Sequence, residues 1–259
     1  MQEQSALGRA MAMVRDLRAR CDWDRVQTRE TLRPYLIEEV HELDSAVAAN
    51  DKAAIRHEVA DLLLHLAWQL VLAEEQHEFS SEDAATDLEA KMKRRHPHLF
   101  DLGPAEEWER LKARERRLGD RPSGRGVLDG LPQSLPDLLM AFRLQERAAG
   151  VGFDWPDPSG PAAKVREELA EVEAEMTSTG AEAAERLDHE IGDLLFSVVN
   201  LARKLGVRPG PALERANLRF AARFGSVERL AEARGTDLAH AGLAELDLLW
   251  EEAKKSAGG

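Results

Sequence analysis

Four carboxylates in the second half of the chain are spaced for joint chemistry. Glu168 and Glu171 lie three residues apart, as do Glu190 and Asp193. On a helix, three-residue spacing puts both side chains on one flank, with Cβ atoms about 5–6 Å apart. Each pair borders an apolar stripe, Val165, Leu169, Val172 and Met176 for the first and Ile191, Leu194, Leu195, Val198 and Leu205 for the second. If the two helices pack antiparallel, the four acids converge at the edge of an apolar seam. Each close pair of like charges would then cost about 1–4 kcal/mol at a separation of ~4 Å. Such a group needs a counter-ion, and an all-oxygen donor set favours a hard divalent cation, Mg2+ or Mn2+, over zinc or iron. Lys164 lies on the same flank, one turn before Glu168. A single Glu on a helix is ordinarily a solvated charge, and Glu173, Glu175 and Glu182 read that way. Joint placement beside the seam sets the quartet apart.

The pattern occurs twice. IEEVHEL (37–43) matches REELAEV (166–172), and HEVADLLL (57–64) matches HEIGDLLF (189–196). An aromatic turn precedes each pair, CDWD at 21–24 and VGFDW at 151–155. The first copy thus carries its own quartet, Glu39, Glu42, Glu58 and Asp61. Self-similarity at offsets of 129 and 132 residues predicts two related helical domains in tandem. Glu38 and His41 form a Glu-x-x-His pair, the kind used by di-iron bundles. That site needs two such pairs, and the second copy has Ala170 in place of His41, so the ligand count fails.

The elements that must position these acids are helices. Ala, Leu, Glu and Arg abound, β-branched runs are scarce, and the 11 prolines fall almost entirely between periodic segments. The expected fold is all-α, a tandem repeat of two helical bundles, with domains at 1–118 and 134–259. A charged helical stretch, AEEWERLKARERRL (105–118), ends the first, and a Gly/Pro-rich linker occupies 119–133. Pro34 and Pro161 are expected at helix starts, Ser80 or Ser81 at an N-cap, and Gly206 at the end of a helix over 181–205.

Composition narrows the function classes. A formal charge of −13 disfavours a general nucleic-acid binder, and an acidic protein that handles phosphates would need a metal to bridge like charges. One cysteine, Cys21, excludes an internal disulfide framework and fits a reducing compartment. The N-terminal residues lack the apolar core of a signal peptide. The longest apolar run, Leu62 to Ala73, is broken by His65 and Gln69 and is too short to span a bilayer. A cytoplasmic protein without membrane attachment is expected.

The motif EE-x2-E followed by E-x2-D resembles the MazG-type nucleoside triphosphate pyrophosphohydrolases, all-α and magnesium-dependent. YLIEEVHEL, HEVADLLLHL, KMKRRHPHLF, VGFDW, KVREELAEV, HEIGDLLFSVVNLARKLG, ANLRFAARF and LLWEEAK carry the likeness over nearly the whole chain. The resemblance implies hydrolysis of NTPs or dNTPs to the monophosphate and pyrophosphate, for cleansing or regulating nucleotide pools. It implies that Glu168, Glu171, Glu190 and Asp193 hold Mg2+, that Lys164, Arg219 and Arg223 approach the triphosphate, and that Trp250 lies near the nucleotide. Glu167, at the edge of the quartet, is the candidate to orient the attacking water. The same residues also suit structural roles: Arg219 and Arg223 as a solvated helix face, Trp250 as a packing anchor, and Lys164 as an ordinary i,i+4 partner of Glu168.

By the same resemblance the second copy is the main catalyst. The first departs from it, with CDWD where proline usually follows the cysteine, Arg29 where histidine is common, and His65 and Trp68 in place of Ser197 and Asn200. Its role is then structural, regulatory or differently selective. Helical units of this kind bury leftover apolar faces by pairing, so a homodimer is expected. The competing class is a low-turnover nucleotide-binding or stress-regulatory module, alarmone hydrolysis included.

Overall fold

The first helix, α1 (Ala6–Arg20), begins where the Ser5 hydroxyl accepts from the Gly8 N–H at 2.9 Å. After it come α2 (Asp22–Arg25), α3 (Arg29–Ala48), α4 (Lys52–Glu75), α5 (Ser81–Arg95) and a 3-10 turn at Pro97–Leu99. Then follow α6 (Asp137–Ala149), α7 (Ser159–Glu175), α8 (Ala183–Lys204), α9 (Pro209–Arg234) and α10 (Leu243–Ser256). This computed structural model describes residues 5–104, 126–180 and 182–256, and among them there is no strand. The all-α expectation holds. The chain divides into two compact units, Met1–Ala105 and Glu106–Gly259. The charged helix expected over 105–118, and most of the linker expected over 119–133, lie outside the described residues.

Local chemistry explains most helix ends. Thr28 and Thr31 form a reciprocal capping box that starts α3, and Ser80 and Asp83 do the same for α5. Asp51 caps α4 by accepting from the Ala53 and Ala54 N–H groups at 2.9 and 3.1 Å. Gly206, at φ 71°, follows the Leu205 C-cap of α8, and Gly235, at φ 66°, directly follows α9. Pro161 falls in the first turn of α7 as expected, whereas Pro34 lies more than one turn inside α3. The capping box at Thr28 starts that helix earlier than proline placement alone suggested.

In each unit two long consecutive helices pack side by side, α3 on α4 and α7 on α8. Both pairs run antiparallel. In the second, Arg186 bonds Glu175 at 3.0 Å near the connecting turn while Glu168 meets Glu190 farther along. Helix α1 covers α4 in the first unit, and α6 covers α8 in the second. The first core joins Met11 and Val14 of α1, Leu32 of α3, and Ala67, Trp68, Val71 and Leu72 of α4. A second cluster, Val227, Ala231, Leu249 and Ala253, joins α9 to α10.

The aromatic turns are fastened to the long helices by buried charges. Arg203 of α8 holds Asp154 at 2.5 and 3.2 Å, and Lys204 reaches Asp154 at 3.1 Å and the Trp155 carbonyl at 2.6 Å. In the first unit Arg18 bonds Glu75 at 2.7 and 2.8 Å and the carbonyls of Asp24 and Gln27, with its guanidinium over the Trp68 ring.

One sequence expectation is corrected here. Leu169, Met176, Ile191, Leu195, Val198 and Leu205, read as core, are all exposed, whereas Val172, Ser197, Val199 and Asn200 are buried. A helix pair covered on one side by α6 leaves its opposite apolar side open within a single chain.

Trp155 lies against Gly160 so closely that a Cβ there would fall 2.0 Å from its ring. Gly160→Ala must therefore displace the indole and loosen the turn from α8. Its expected cost is about 1–3 kcal/mol, read as a lower urea midpoint. An unchanged midpoint would show that the ring yields freely.

Candidate metal centre

The antiparallel pairing of α7 and α8 brings three of the four predicted acids together. Ligand oxygens of Glu168, Glu190 and Asp193 all lie within 4.8 Å of one another. Glu171 lies beside Glu168, and each shifts the titration of the other. Glu168 is buried, at 4% exposure, and a buried carboxylate is costly unless it is paired. Its partner is Lys164, which forms ion pairs with both Glu168 and Glu167, the latter at 2.8 Å. The hydrogen bond from Lys164 outweighs burial and holds the Glu168 carboxyl below its usual range. Glu171 moves the other way: its hydrogen bond to Glu168, burial, and the charges of Glu168 and Glu190 all raise it. The ammonium of Lys164 thus offsets part of the quartet's charge, and the neighbouring carboxylates make Glu171 harder to ionise.

The first unit repeats the acids without the lysine. Glu39, Glu42 and Glu58 share one cluster within 4.8 Å, and Glu58 and Asp61 share another with His57. At the position of Lys164, by the 129-residue offset, stands Tyr35. Burial, then the charges of Asp61, Glu42, Glu58 and Glu38, push the Glu39 carboxyl up. Glu58 Oε2 is buried and has no hydrogen-bond partner. An orphaned carboxylate oxygen amid like charges fits the donor set of a cation, and every predicted acid here offers only oxygen. Both clusters therefore suit a hard divalent ion.

The residue type that sequence reasoning missed is histidine. His57 Nδ1 lies 3.0 Å from Asp61 and 3.7 Å from Glu58, and His189 Nε2 lies 3.4 Å from Asp193. Its signal was present in both copies as a His immediately before the Glu and four residues before the Asp.

The remaining predicted residues gather elsewhere. Arg223 places its guanidinium 5.1 Å from the Trp250 ring centroid, and Phe220 packs on the same ring at 5.3 Å. Trp250 also abuts the core between α9 and α10, so its packing role is visible. Arg219 is exposed, and Arg223 keeps a buried Nε without a partner. Among the described residues no hydrogen bond or ion pair joins Arg219, Arg223 or Trp250 to the four acids.

An all-α unit built on two antiparallel helices with convergent acid pairs is the architecture of a metal-assisted phosphoanhydride hydrolase. Comparison with known proteins agrees with that class. Residues 27–100, within the first unit, match the model of the MazG nucleotide pyrophosphohydrolase domain. The chain is 42% identical over 238 residues to the nucleoside triphosphate pyrophosphohydrolase/pyrophosphatase MazG of Thermotoga maritima, covering 90% of this chain and 89% of that protein. It is 37% identical over 252 residues to the nucleoside triphosphate pyrophosphohydrolase of Escherichia coli K12, covering 95% and 94%. A shorter match, 31% over 183 residues, is to the nucleoside triphosphate pyrophosphohydrolase of Mycobacterium tuberculosis, covering 65% and 52%. The chain belongs to the MazG family.

The raised carboxyls give cation binding a pH signature. Glu39 binds its proton more tightly folded than unfolded. Its contribution to stability is therefore full below the ordinary 4.5 and is lost as pH rises through the raised value. A divalent cation competes with protons for Glu39 and Glu171, so apparent affinity should climb with pH. Calorimetric titrations with MgCl2 at a series of pH values upward from the ordinary 4.5, each in two buffers of different ionisation heat, should give buffer-dependent apparent heats within the raised range. Identical heats would mean that no proton leaves.

Proposed function

We propose that the chain hydrolyses nucleoside and deoxynucleoside triphosphates to the monophosphate and pyrophosphate, with Mg2+ at Glu168, Glu171, Glu190 and Asp193. The observation that carries this reading is the convergence of Glu168, Glu190 and Asp193 with Lys164 as the built-in counter-ion. When bound, Mg2+ (or Mn2+) supplies charge neutralisation of the polyphosphate and acidification of a water.

The protein's own residues do the rest. Lys164 holds Glu167 and Glu168 in the free enzyme, and an arriving triphosphate offers it a stronger anionic partner. Its transfer to the phosphate releases Glu167, whose half-exposed carboxylate then accepts a proton from the attacking water. Arg219 and Arg223 neutralise the departing pyrophosphate, and Trp250, held flat by Arg223 and Phe220, borders the nucleotide. The first unit keeps the acids Glu39, Glu42, Glu58 and Asp61 for a cation but not the lysine. It is therefore a metal-holding structural or regulatory copy, with the second unit as the main catalyst. No helix among the described residues is long and apolar enough to cross a membrane. With a charge of −13 and one cysteine, the substrate is a free nucleotide rather than a nucleic acid, in a reducing cytoplasm.

The open apolar side of α7 and α8 supports a homodimer. Ile191, Leu195 and Val198 lie on it at 40–55% exposure. Covering each would contribute up to about 1.5–3 kcal/mol, and among the described residues each stays open.

Two measurements check these assignments. Glu190→Gln should lower pyrophosphate release from dNTPs on the order of a hundred-fold or more, with the helical circular dichroism unchanged. Full turnover in that variant would remove the acid cluster from the chemistry. Light scattering behind size exclusion should give a dimer mass for the wild type and a smaller mass for Leu195→Glu; a monomeric wild type would overturn the pairing.

A further inference from the structure

One polar feature of the second unit lies outside the acid cluster and outside the roles assigned above. Asn200 is on the same side of α8 as Glu190, Asp193 and Ser197, since steps of three, four and three keep one helical row. Seven residues of helix place it about 10 Å beyond Asp193. That is the length over which a nucleotide extends from its metal-bound phosphates toward its base. Asn200 is 9% exposed and Ser197 7%.

The Asn200 carboxamide has a fixed orientation. Its Oδ1 accepts from Arg203 Nε at 3.1 Å and Nη2 at 2.8 Å. The same guanidinium is gripped by Asp154 at 2.5 Å, so the fork cannot swing away. Burial alone would raise the Asp154 carboxyl, but hydrogen bonds from Arg203 and Lys204 prevail and keep it low, hence charged. With Oδ1 committed, Asn200 can offer only its two N–H donors, and among the described residues Nδ2 has no hydrogen-bond partner. At the same turn Gln145 donates to the Phe196 carbonyl at 2.8 Å and leaves its own Oε1 buried and unpartnered. The clamped aromatic turn beside them presents Phe153, 83% exposed.

A donor of set direction and an exposed ring are what a nucleobase requires: a hydrogen-bonded edge and a stacked face. We propose that Asn200, aimed by the Asp154–Arg203 pair, reads the edge of the nucleobase in the second unit. Its amide donates to a keto oxygen or ring nitrogen. This deepens the nucleotide-hydrolysis reading and rests on it for the placement of the phosphates. Asn200 contacts the base, whereas Arg203 and Asp154 act through it as positioning residues. The first unit places Trp68 at the matching position, with no amide to offer.

The test is calorimetric affinity of the four deoxynucleoside monophosphates with Mg2+ present, which needs no turnover. Asn200→Asp keeps the shape and the bond to Arg203 but turns the free donor into an acceptor. The ratio of affinities for keto-rich dTMP and amino-bearing dCMP is expected to shift toward dCMP on the order of ten-fold. Arg203→Lys keeps a cation on Asp154 but gives up the fork, so the carboxamide is free to flip and the spread among the four should narrow. Equal weakening of all four in Asn200→Asp, or an unchanged spread in Arg203→Lys, overturns the proposal. If the wild type released no pyrophosphate from any dNTP, the hydrolysis reading would fail while these affinities still decided the role of Asn200.

Discussion

Like charges forced together on paired helices are the constraint around which each unit is organised. A carboxylate beside an apolar seam loses part of its hydration, and a neighbour of the same sign raises the cost again. The two units meet that cost differently. In the second, Lys164 enters the cluster and pairs with Glu168, while the like charges around it raise Glu171. In the first there is no lysine, Glu39 is driven toward its protonated form, and an oxygen of Glu58 is left buried without a partner. The same four acids therefore meet in two different electrostatic settings. The second unit holds an ammonium against its acids, and in the first an imidazole lies beside them.

The rigidity needed to hold such a cluster comes from the far ends of the same helices. Arg203 and Lys204 tie the 151–155 turn to α8, and Arg18 ties the 21–24 turn to α1 and α4. These pairs are half-buried or better, so they are less screened than surface ion pairs. With one end of the long helix pinned and the other carrying the acids, a small rotation of α8 would disturb both. That coupling explains why polar groups as buried as Ser197 and Asn200 lie between the two ends.

The apolar surface follows its own logic. A pair of helices has two broad sides, and the described helices that pack on each pair leave apolar residues of the other side open. Leu169, Ile191, Val198 and their counterparts Val40, Val59 and Leu66 in the first unit are consequently exposed. Sequence periodicity marks a face as apolar but does not name the partner that covers it, which is why these positions read as core.

The residue pattern alone determined the helical class, the repetition and the eight acids, because three-residue spacing and 3.6-residue periodicity are properties of a single helix. Caps were equally legible at Ser80 and Gly206, where the stabilising contact is made within a few residues. What depended on contacts across the chain could be decided only by the tertiary structure. Glu168 met Glu190 and Asp193 across the helix pair, an oxygen of Glu58 was buried without a partner, and Asn200 acquired a direction from an arginine held by a distant aspartate. Charge pairing and side-chain orientation are set by what packs alongside a helix, and one strand of residues carries no record of its neighbours' angles.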